Sequence, residues 1–226
     1  MKDLEIIIPT LNEGKNIEKM ILSLLYNYPS VSVCIVDDGS KDNTQNLVNK
    51  FSLLNVRLID RSNCKVKGLT ASVLEGIRTT QKRYFIVMDA DFQHPISAIK
   101  EMYEKTQENN LVIGVRRQTA GWSLSRKLIS DLAILLGNIR LRLQGKRYKD
   151  IVSGFFGGKS DYIKIFSYGF YDKFELKGYK VLFDLLKLIP EDLNVGYVLY
   201  DFNLRTEGKS KMNKSHILYY FKSIWR

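Results

Sequence analysis

Residues 31–51 read VSVCIVDDGSKDNTQNLVNKF, an apolar run followed by two acids, a Gly-Ser turn and an amphipathic segment. The apolar run 31–38 predicts a buried strand, and residues 44–51 have the spacing of a helix. The same order of strand, polar turn and helix is repeated on both sides of this stretch. The predicted pairs are 4–9 with 16–28, 56–60 with 68–81, and 84–91 with a helix that starts near Pro95 and runs to about Asn109, before a further strand at 111–116.

Strands that alternate with helices of this length predict an α/β fold with a mainly parallel central sheet and helices on both faces. In such sheets ligands bind beyond the carboxyl ends of the strands. Asp37 and Asp38 end one predicted strand, and Asp89 and Asp91 end another. We therefore expect these four acids at the ligand-binding edge.

The second half of the chain is less regular and shows no linker that would separate two domains. Its predicted helices are 125–143, 178–190 and 215–226, its predicted strand is 195–205, and residues 153–159 suit a short strand or a turn. The helix 125–143 carries an apolar stripe at Leu128, Leu132, Leu135 and Ile139. We expect this stripe to pack in the core rather than to form a groove for lipid.

Charge is unevenly distributed along the 226 residues, which carry a net charge of +11. Residues 1–110 hold 14 basic and 14 acidic side chains, whereas residues 111–226 hold 21 basic and 10 acidic ones, so the whole excess lies there. The asymmetry indicates that the second half meets an anionic partner, such as a phosphate, a nucleic acid or an acidic membrane. The alternative is a basic surface that binds nothing.

Several function classes lack their sequence signals. No G-x-G-x-x-G follows the first strand, and Gly208-Lys209-Ser210 lacks the upstream glycine of a phosphate-binding P-loop, because position 203 is Asn. Two histidines, and two cysteines without ligand spacing, provide no zinc site. The cysteines favour a reduced, cytoplasmic setting, and neither a signal peptide nor an apolar stretch of ~18 residues is visible.

The segment FIVMDADFQHP (85–95) places two acids one residue apart at the end of a strand. Residues i and i+2 of an extended backbone point to the same side, so Asp89 and Asp91 can converge on one cation. With the amide oxygen of Gln93 they provide an all-oxygen ligand set, which suits Mg²⁺ or Mn²⁺. The alternative is a solvated loop at a strand end.

These motifs, taken in order along the chain, carry a family resemblance. IIIPTLNE, IVDDGSKDNT, KGLTASVLEGI, VMDADFQHP, IGVR, RKLIS, DIVSGFF and LRTEGKSK together resemble the family 2 glycosyltransferases of GT-A fold, and more narrowly the dolichol- and polyprenyl-phosphate mannose synthases. The resemblance runs from about residue 4 to residue 214. It implies a GT-A catalytic domain over 1–213, followed by an amphipathic C-terminal helix over 214–226.

The resemblance implies a role for each motif. The donor nucleotide would be held by the turns after the first, second and fourth strands, through Pro9, Leu11, Glu13, Asp37, Asp38 and Ala90. The metal, Mg²⁺ or Mn²⁺, would be held by Asp89, Asp91 and Gln93. Alternatively, Asp38, Gly39 and Ser40 form no more than a tight turn.

The acceptor implied by the resemblance is a polyprenyl or dolichyl phosphate, which is already an anion and needs little help from a catalytic base. It needs cations instead, and Arg116, Arg126, Arg205 and Lys211 match the basic motifs of the subgroup, with Ser153 beside them. Arg117 leaves the register of Arg116 open by one residue. The alternatives are ordinary surface cations, and a buried aromatic turn at residues 153–156.

The sequence thus predicts a metal-dependent, inverting glycosyltransferase that moves a hexose from a nucleotide sugar to a polyprenyl phosphate. GDP-mannose is the first choice of donor and UDP-glucose the second. The alternatives are a family 2 enzyme acting on a sugar hydroxyl and a basic nucleic-acid-binding module, although no nucleic-acid-binding motif is present. Residues 214–226 either dock on the domain or lie in a membrane interface, and we predict peripheral binding at the cytoplasmic face of a membrane.

Overall fold

The strands and helices of the first half form in the predicted order. The structure, a computed structural model, describes the backbone of residues 1–119, 124–204, 207 and 214–226, with the side chains in these ranges except 118–131 and 214–217. The strands are β1 Leu4–Thr10, β2 Ser32–Asp37, β3 Val56–Asp60, β4 Tyr84–Val87, β5 Leu111–Thr119, β6 Phe156–Lys159 and β7 Val195–Phe202. The helices are α1 Ile17–Asn27, α2 Thr44–Asn49, α3 Leu69–Thr79, α4 Ala98–Glu108, α5 Leu124–Arg142, α6 Ser160–Gly169, α7 Val181–Leu188 and α8 Lys214–Trp225.

Among the described residues the strands form one sheet in the order β3-β2-β1-β4-β6-β5-β7. The pairs β1–β2, β1–β4, β2–β3 and β5–β7 are parallel, and β6 runs antiparallel to both of its neighbours. The predicted mainly parallel sheet is therefore confirmed. The register brings Thr10 of β1 opposite Asp37 of β2, while β4 lies on the other side of β1. The carboxyl ends of β1, β2 and β4 thus lie side by side.

Apolar layers cover both faces of the sheet. One layer packs α1, α2 and α4 against β1, β2 and β4, and includes Ile6, Ile8 and Met20, all fully buried. The opposite layer packs α3, α6 and α7 on the sheet and includes Ile7 and Phe183. Since burial of each such side chain contributes about 1.5–3 kcal/mol, the two layers hold the strand ends at fixed positions.

Among the described residues of the second half, helix α6 was not predicted by the sequence analysis. Residues 153–159, which suited a strand or a turn, form both: a turn leads into β6. Helix α6 starts directly after β6 and packs on α3 and α7. Its apolar residues Ile163 and Phe166 are buried at helical spacing, so the signal was present but short.

The apolar stripe of α5 was expected in the core, and that expectation is wrong for three of its members. Leu132, Leu135 and Ile139 are 52%, 54% and 47% exposed, and Leu128 lies outside the described side chains. The face of α5 that packs inward is a different one, on which Gly137 and Leu141 are buried. The periodicity identified the helix correctly, but it did not identify which face the protein covers.

Helix α8 docks on the domain through a narrow face. Tyr220, Ser223 and Ile224 are buried, and the Tyr220 hydroxyl donates to the Ala133 carbonyl of α5 at 2.6 Å. The buried Lys187 ammonium of α7 donates to the Ser223 carbonyl at 2.6 Å. The docked alternative is thus observed for this face. In the part of the chain described by the structure, no helix has the length and apolar character needed to cross a bilayer.

Candidate active site at the carboxyl edge of the sheet

Three turns meet where β1, β2 and β4 end, and each carries residues that the sequence analysis selected. Pro9 is the penultimate residue of β1, paired in register with Val36 of β2. Beyond β4, the Met88 amide donates to the Ile7 carbonyl of β1 at 3.1 Å, which keeps the following acids beside the β1 turn. The structure therefore brings the predicted donor-binding and metal-binding motifs to one edge, as expected for parallel strands.

The turn after β1 is tied to the turn after β2. Asn12, with a left-handed φ of 53°, donates its amide to the Ser40 hydroxyl at 2.7 Å. The amide of Glu13 donates to the Thr44 hydroxyl at 2.9 Å, while its carboxylate accepts from the Asn16 side chain at 3.0 Å. Leu11, which directly precedes Asn12, is exposed. This arrangement presents Leu11 and Glu13 at the edge where a nucleotide was predicted.

Asp37 is fully buried and organises the turn after β2. Its carboxylate accepts from the Thr10 hydroxyl at 3.0 Å, from the Gln45 amide at 2.8 Å, and from the main chain of Gly39 and Ser40 at 3.2 and 2.8 Å. Gly39 has φ +88°, a conformation that glycine adopts without strain. Asp37 thus shapes the turn, and its predicted direct contact with base or ribose stays a prediction.

Asp38 is held by a residue that the sequence analysis did not select. The buried Arg61 donates from Nε to Asp38 at 3.1 Å, pairs with Glu75, and donates to the Val66 carbonyl at 2.7 Å. The Gly68 amide donates to the other oxygen of Asp38 at 2.6 Å. Arg61 therefore links the acid turn to α3. Because it follows β3 without any motif, nothing in the sequence indicated this contact.

The metal motif forms the turn after β4. Asp89 has a 38% exposed side chain, whereas Ala90 and Asp91 are buried and the Gln93 amide donates to Asp91 at 3.1 Å. Phe92 between them has a left-handed φ of 62°. The side-chain nitrogen of Gln93 donates to the Asn203 carbonyl at 3.3 Å, so its oxygen is the atom that would serve a cation.

His94 fixes the position of Asp89, a role that the sequence analysis missed. The Asp89 amide donates to Nδ1 of His94 at 3.0 Å, so the ring proton is on Nε2. Burial lowers the pKa of His94 to about 4, so the ring is neutral at pH 7 and its 4.0 Å approach to the Asp89 carboxylate is no ion pair. The ring stacks on Phe155 and meets Tyr200 edge-on. The only signal for this role was the position of a histidine directly after the acid motif.

The chemistry of the motif fits a hard divalent cation. Two carboxylates and an amide oxygen come from one turn, and Mg²⁺ or Mn²⁺ bound in this way retains positions for water or phosphate. Among the described residues no group of three or more His, Cys, Asp or Glu side chains is arranged as a metal site. A cation would therefore depend on Asp89, Asp91 and Gln93 together with ligands from the substrate.

Arg116, predicted to bind the acceptor phosphate, is held in a largely buried ion pair. Its Nε and Nη2 donate to the two oxygens of Asp150 at 2.8 and 2.6 Å, and its amide donates to Asp150 at 3.1 Å. Asp150 has a left-handed φ of 42°. The neighbouring Arg117 is exposed, and successive side chains of a strand point to opposite faces. The geometry thus distinguishes the two arginines, and phosphate binding by Arg116 stays a prediction.

The SGFF segment lies against the metal motif. The Ser153 hydroxyl is buried and is bonded to the carbonyl and the amide of Phe155, both at 3.2 Å. Phe155 and Phe156 are buried, as the aromatic-turn alternative requires. In this turn Gly154 faces the side chains of both Asp89 and His94. Contact of Ser153 with an acceptor remains a prediction.

The end of β7 also meets the metal motif. The Asn203 amide donates to the Gln93 carbonyl at 3.0 Å, and four residues later the Glu207 carbonyl accepts from Asn16 near Glu13 at 3.4 Å. Arg205 and Lys211 lie outside the described residues, and the Arg126 side chain lies outside the described side chains. Their predicted roles at the acceptor stay predictions.

Comparison with known proteins identifies the family. The pattern described as glycosyl transferase family 2 matches residues 5–166, which include every motif of the three turns. This chain is a family 2 glycosyltransferase. The dolichol-phosphate mannosyltransferase of Pyrococcus furiosus is 32% identical over 98% of the chain, and that of Saccharomyces cerevisiae is 27% identical over 97%. The chain spans 62% of the Pyrococcus protein and 84% of the yeast protein.

Solved structures agree on the fold of the glycosyltransferase. Glucosyl-3-phosphoglycerate synthase from Mycobacterium tuberculosis, in complex with Mn²⁺, UDP and phosphoglyceric acid, superposes with a TM-score of 0.64 at 17% identity, covering 98% of this chain and 78% of that one. Another structure of that synthase gives a TM-score of 0.63 at 18% identity over 89% of this chain and 73% of that one. The GT-A fold implied by the resemblance is confirmed.

Proposed function

We propose that this glycosyltransferase moves mannose from GDP-mannose to the phosphate of a polyprenyl or dolichyl lipid. The observation that carries the proposal is the meeting of the β1, β2 and β4 turns at one edge of the sheet, in a chain whose relatives are named dolichol-phosphate mannosyltransferases. An acceptor phosphate oxygen would attack the anomeric carbon of the sugar. The bond from that carbon to the diphosphate would break, and the nucleoside diphosphate would leave.

The part of the proposal that concerns the donor nucleotide rests on the turns after β1 and β2. The mutual hydrogen bonds of Asn12 with Ser40, and of Glu13 with Thr44, hold these turns in one arrangement before a ligand arrives. Preorganisation of this kind lowers the entropy lost on binding. Glu13 would accept from hydroxyl or N–H groups of the nucleotide, and Leu11 would give an apolar contact.

The part of the proposal that concerns the diphosphate rests on the turn after β4. Bound there, Mg²⁺ or Mn²⁺ would supply positive charge that stabilises the leaving diphosphate. Asp89, Asp91 and Gln93 would hold the ion, and His94 would hold the Asp89 main chain in place through its hydrogen bond from the Asp89 amide. Because that histidine is neutral and buried, it adds no charge that would compete with the cation.

The part of the proposal that concerns the acceptor rests on the basic second half of the chain. Asp150 holds the Arg116 guanidinium near the edge where the metal motif lies, since both Arg116 and His94 pack on the Phe202 ring. The segment with Arg205 and Lys211 starts at Asn203, which is hydrogen-bonded to that motif. A phosphate monoester carried to this edge would meet cations rather than a catalytic base.

A direct test supplies purified protein and Mn²⁺ with labelled GDP-mannose or UDP-glucose, and with dolichyl phosphate or a free saccharide as acceptor. We expect labelled lipid from GDP-mannose and dolichyl phosphate, and none when a chelator is in excess. Product from UDP-glucose alone would overturn the choice of sugar. Product on the saccharide alone would overturn the lipid-phosphate acceptor.

We also propose that α5 and α8 meet the membrane that holds this lipid. Leu132, Leu135 and Ile139 are exposed along α5, and on α8 Leu218, Phe221 and Trp225 are exposed at helical spacing, Trp225 by 87%. The two helices are neighbours, joined by the hydrogen bond between Tyr220 and Ala133. Apolar rows on adjacent helices within a basic half of the chain suit the interface of an anionic membrane. Together with the predicted cytoplasmic setting, we propose peripheral binding at the cytoplasmic face.

Sedimentation with vesicles tests the exposed apolar rows, and the variants used leave the buried, docked face of α8 unchanged. Leu218, Phe221 and Trp225 are replaced together by Ser, and the matched control replaces exposed apolar residues on the opposite layer, Leu22, Tyr26 and Leu53. We expect wild type and the control to sediment with vesicles of phosphatidylserine and phosphatidylcholine, less at high salt. The α8 variant should remain in the supernatant. Equal sedimentation of both variants would contradict the proposal.

A further inference from the structure

A side chain at position 154 would contact the Asp89 carboxylate, although Gly154 lies in a turn that no sequence motif connected with the metal. A Cβ built at Gly154 would lie 3.4 Å from Cε1 of His94, and 3.5 and 3.8 Å from the two carboxylate oxygens of Asp89. These oxygens are nearer to that position than any other atom of Asp89. Gly154 therefore faces the oxygen end of the carboxylate, which is the end that a cation would use.

We propose that Gly154 sets the clearance of the metal site: its missing side chain leaves room for the ion and the diphosphate oxygens bound to it. The inference rests on the proposed function, because it assigns a residue to the cation site of that function. A cation held by Asp89 would lie about 2.0–2.6 Å from a carboxylate oxygen, and its other ligands would extend a similar distance beyond it. A methyl group 3.5 Å from the same oxygen would lie within the distance that the ion and these ligands span.

The turn is held rigidly enough for this distance to matter. Asp150, four residues before Gly154, is fixed by three hydrogen bonds from Arg116. Phe155, on the other side, is buried, donates its amide to the Ser153 hydroxyl and stacks on His94 with 5.2 Å between ring centroids. Since His94 also accepts the Asp89 amide, one ring connects both walls of the site.

Conformation and packing give no other reason for glycine at this position. The backbone of Gly154 is outside the left-handed region, unlike that of Gly39 or Gly145. The three atoms nearest to a Cβ built at Gly154 lie at ordinary van der Waals distances from it. By contrast, a Cβ at Gly157 in β6 would lie 2.4 Å from the Phe85 carbonyl oxygen. Alanine therefore fits the fold at position 154, and we expect it to conflict only with a bound ion.

The experiment compares Gly154→Ala with wild type and with Gly169→Ala, a matched control at the end of α6 where a Cβ would meet no atom within 4 Å. Thermal unfolding is measured without metal. Mn²⁺ binding is measured by electron paramagnetic resonance in the presence of GDP, and in parallel with UDP. Turnover of GDP-mannose with dolichyl phosphate is a third measurement.

We expect Gly154→Ala to melt within ~2 °C of wild type and to bind Mn²⁺ about 10- to 100-fold more weakly, with turnover lowered in parallel. Gly169→Ala should match wild type in metal binding and turnover. Wild-type Mn²⁺ affinity in Gly154→Ala would overturn the inference, as would a large loss of thermal stability, which would show that the glycine serves packing. If wild type itself bound no Mn²⁺ with either nucleotide, the proposed function would fail instead.

Discussion

The ion pair between Arg116 and Asp150 allows a quantitative prediction of how much one contact near the site stabilises the fold. Both side chains are about nine-tenths buried, at 11% and 8% exposed, and three hydrogen bonds join the two residues. The perturbation is Asp150→Ala, which removes the carboxylate and leaves the guanidinium without its main acceptor in a desolvated position.

The magnitude follows from the burial. Removal of one partner of a buried ion pair costs about 3–5 kcal/mol of unfolding free energy, because the remaining charge is not rehydrated. For a chain of this length about 1 kcal/mol lowers the melting temperature by 2–4 °C, so Asp150→Ala should lower it by ~6–20 °C. Asp150→Asn keeps the volume and one acceptor oxygen and should cost less.

The assay is urea unfolding followed by circular dichroism, with Glu18→Ala as the matched control. Glu18 pairs with Lys50 at 3.1 Å, but these side chains are 43% and 58% exposed, and such pairs contribute about 0–1 kcal/mol. The double variant Arg116→Ala with Asp150→Ala should be more stable than the sum of the single effects indicates, because neither charge of the pair is then buried without the other. If Asp150→Ala changed the free energy of unfolding no more than Glu18→Ala, the assigned role of the pair would be refuted.

Four further variants test the site and the sheet. Asp91→Ala should abolish transfer and metal-dependent donor binding while the melting temperature stays close to that of wild type; retained Mn²⁺-dependent binding by calorimetry would contradict the metal assignment. Arg126→Ala and Arg205→Ala should raise the KM for the lipid phosphate about tenfold or more with little change in donor affinity, and equal loss of donor binding would place these residues at the diphosphate. Gly157→Ala should destabilise the sheet by ~1–3 kcal/mol, since its Cβ would overlap the Phe85 carbonyl; an unchanged urea midpoint would show that the strands separate easily.

Sequence patterns were sufficient to predict the alternation of strands and helices and the edge of the sheet at which the candidate site lies. Polar turns follow β1, β2 and β4 directly, and parallel strands place such turns together whatever the details of packing. Local periodicity and parallel topology are sufficient for these conclusions. The shared cation of Asp89 and Asp91 stays a prediction: it was argued from an extended backbone, whereas β4 ends at Val87 and both acids lie in the turn that follows.

The long-range contacts that hold the candidate site are visible in the folded protein and not in the sequence. Arg61 donates to Asp38, and Arg116 donates to Asp150, over separations of 23 and 34 residues. Gly154 faces Asp89, which lies 65 residues earlier. No periodicity encodes contacts over such separations. Tertiary packing also decided which face of α5 is covered, because an apolar stripe is compatible with both a core and a surface. Helical spacing depends on neighbours three or four positions apart, whereas burial depends on where the rest of the chain goes.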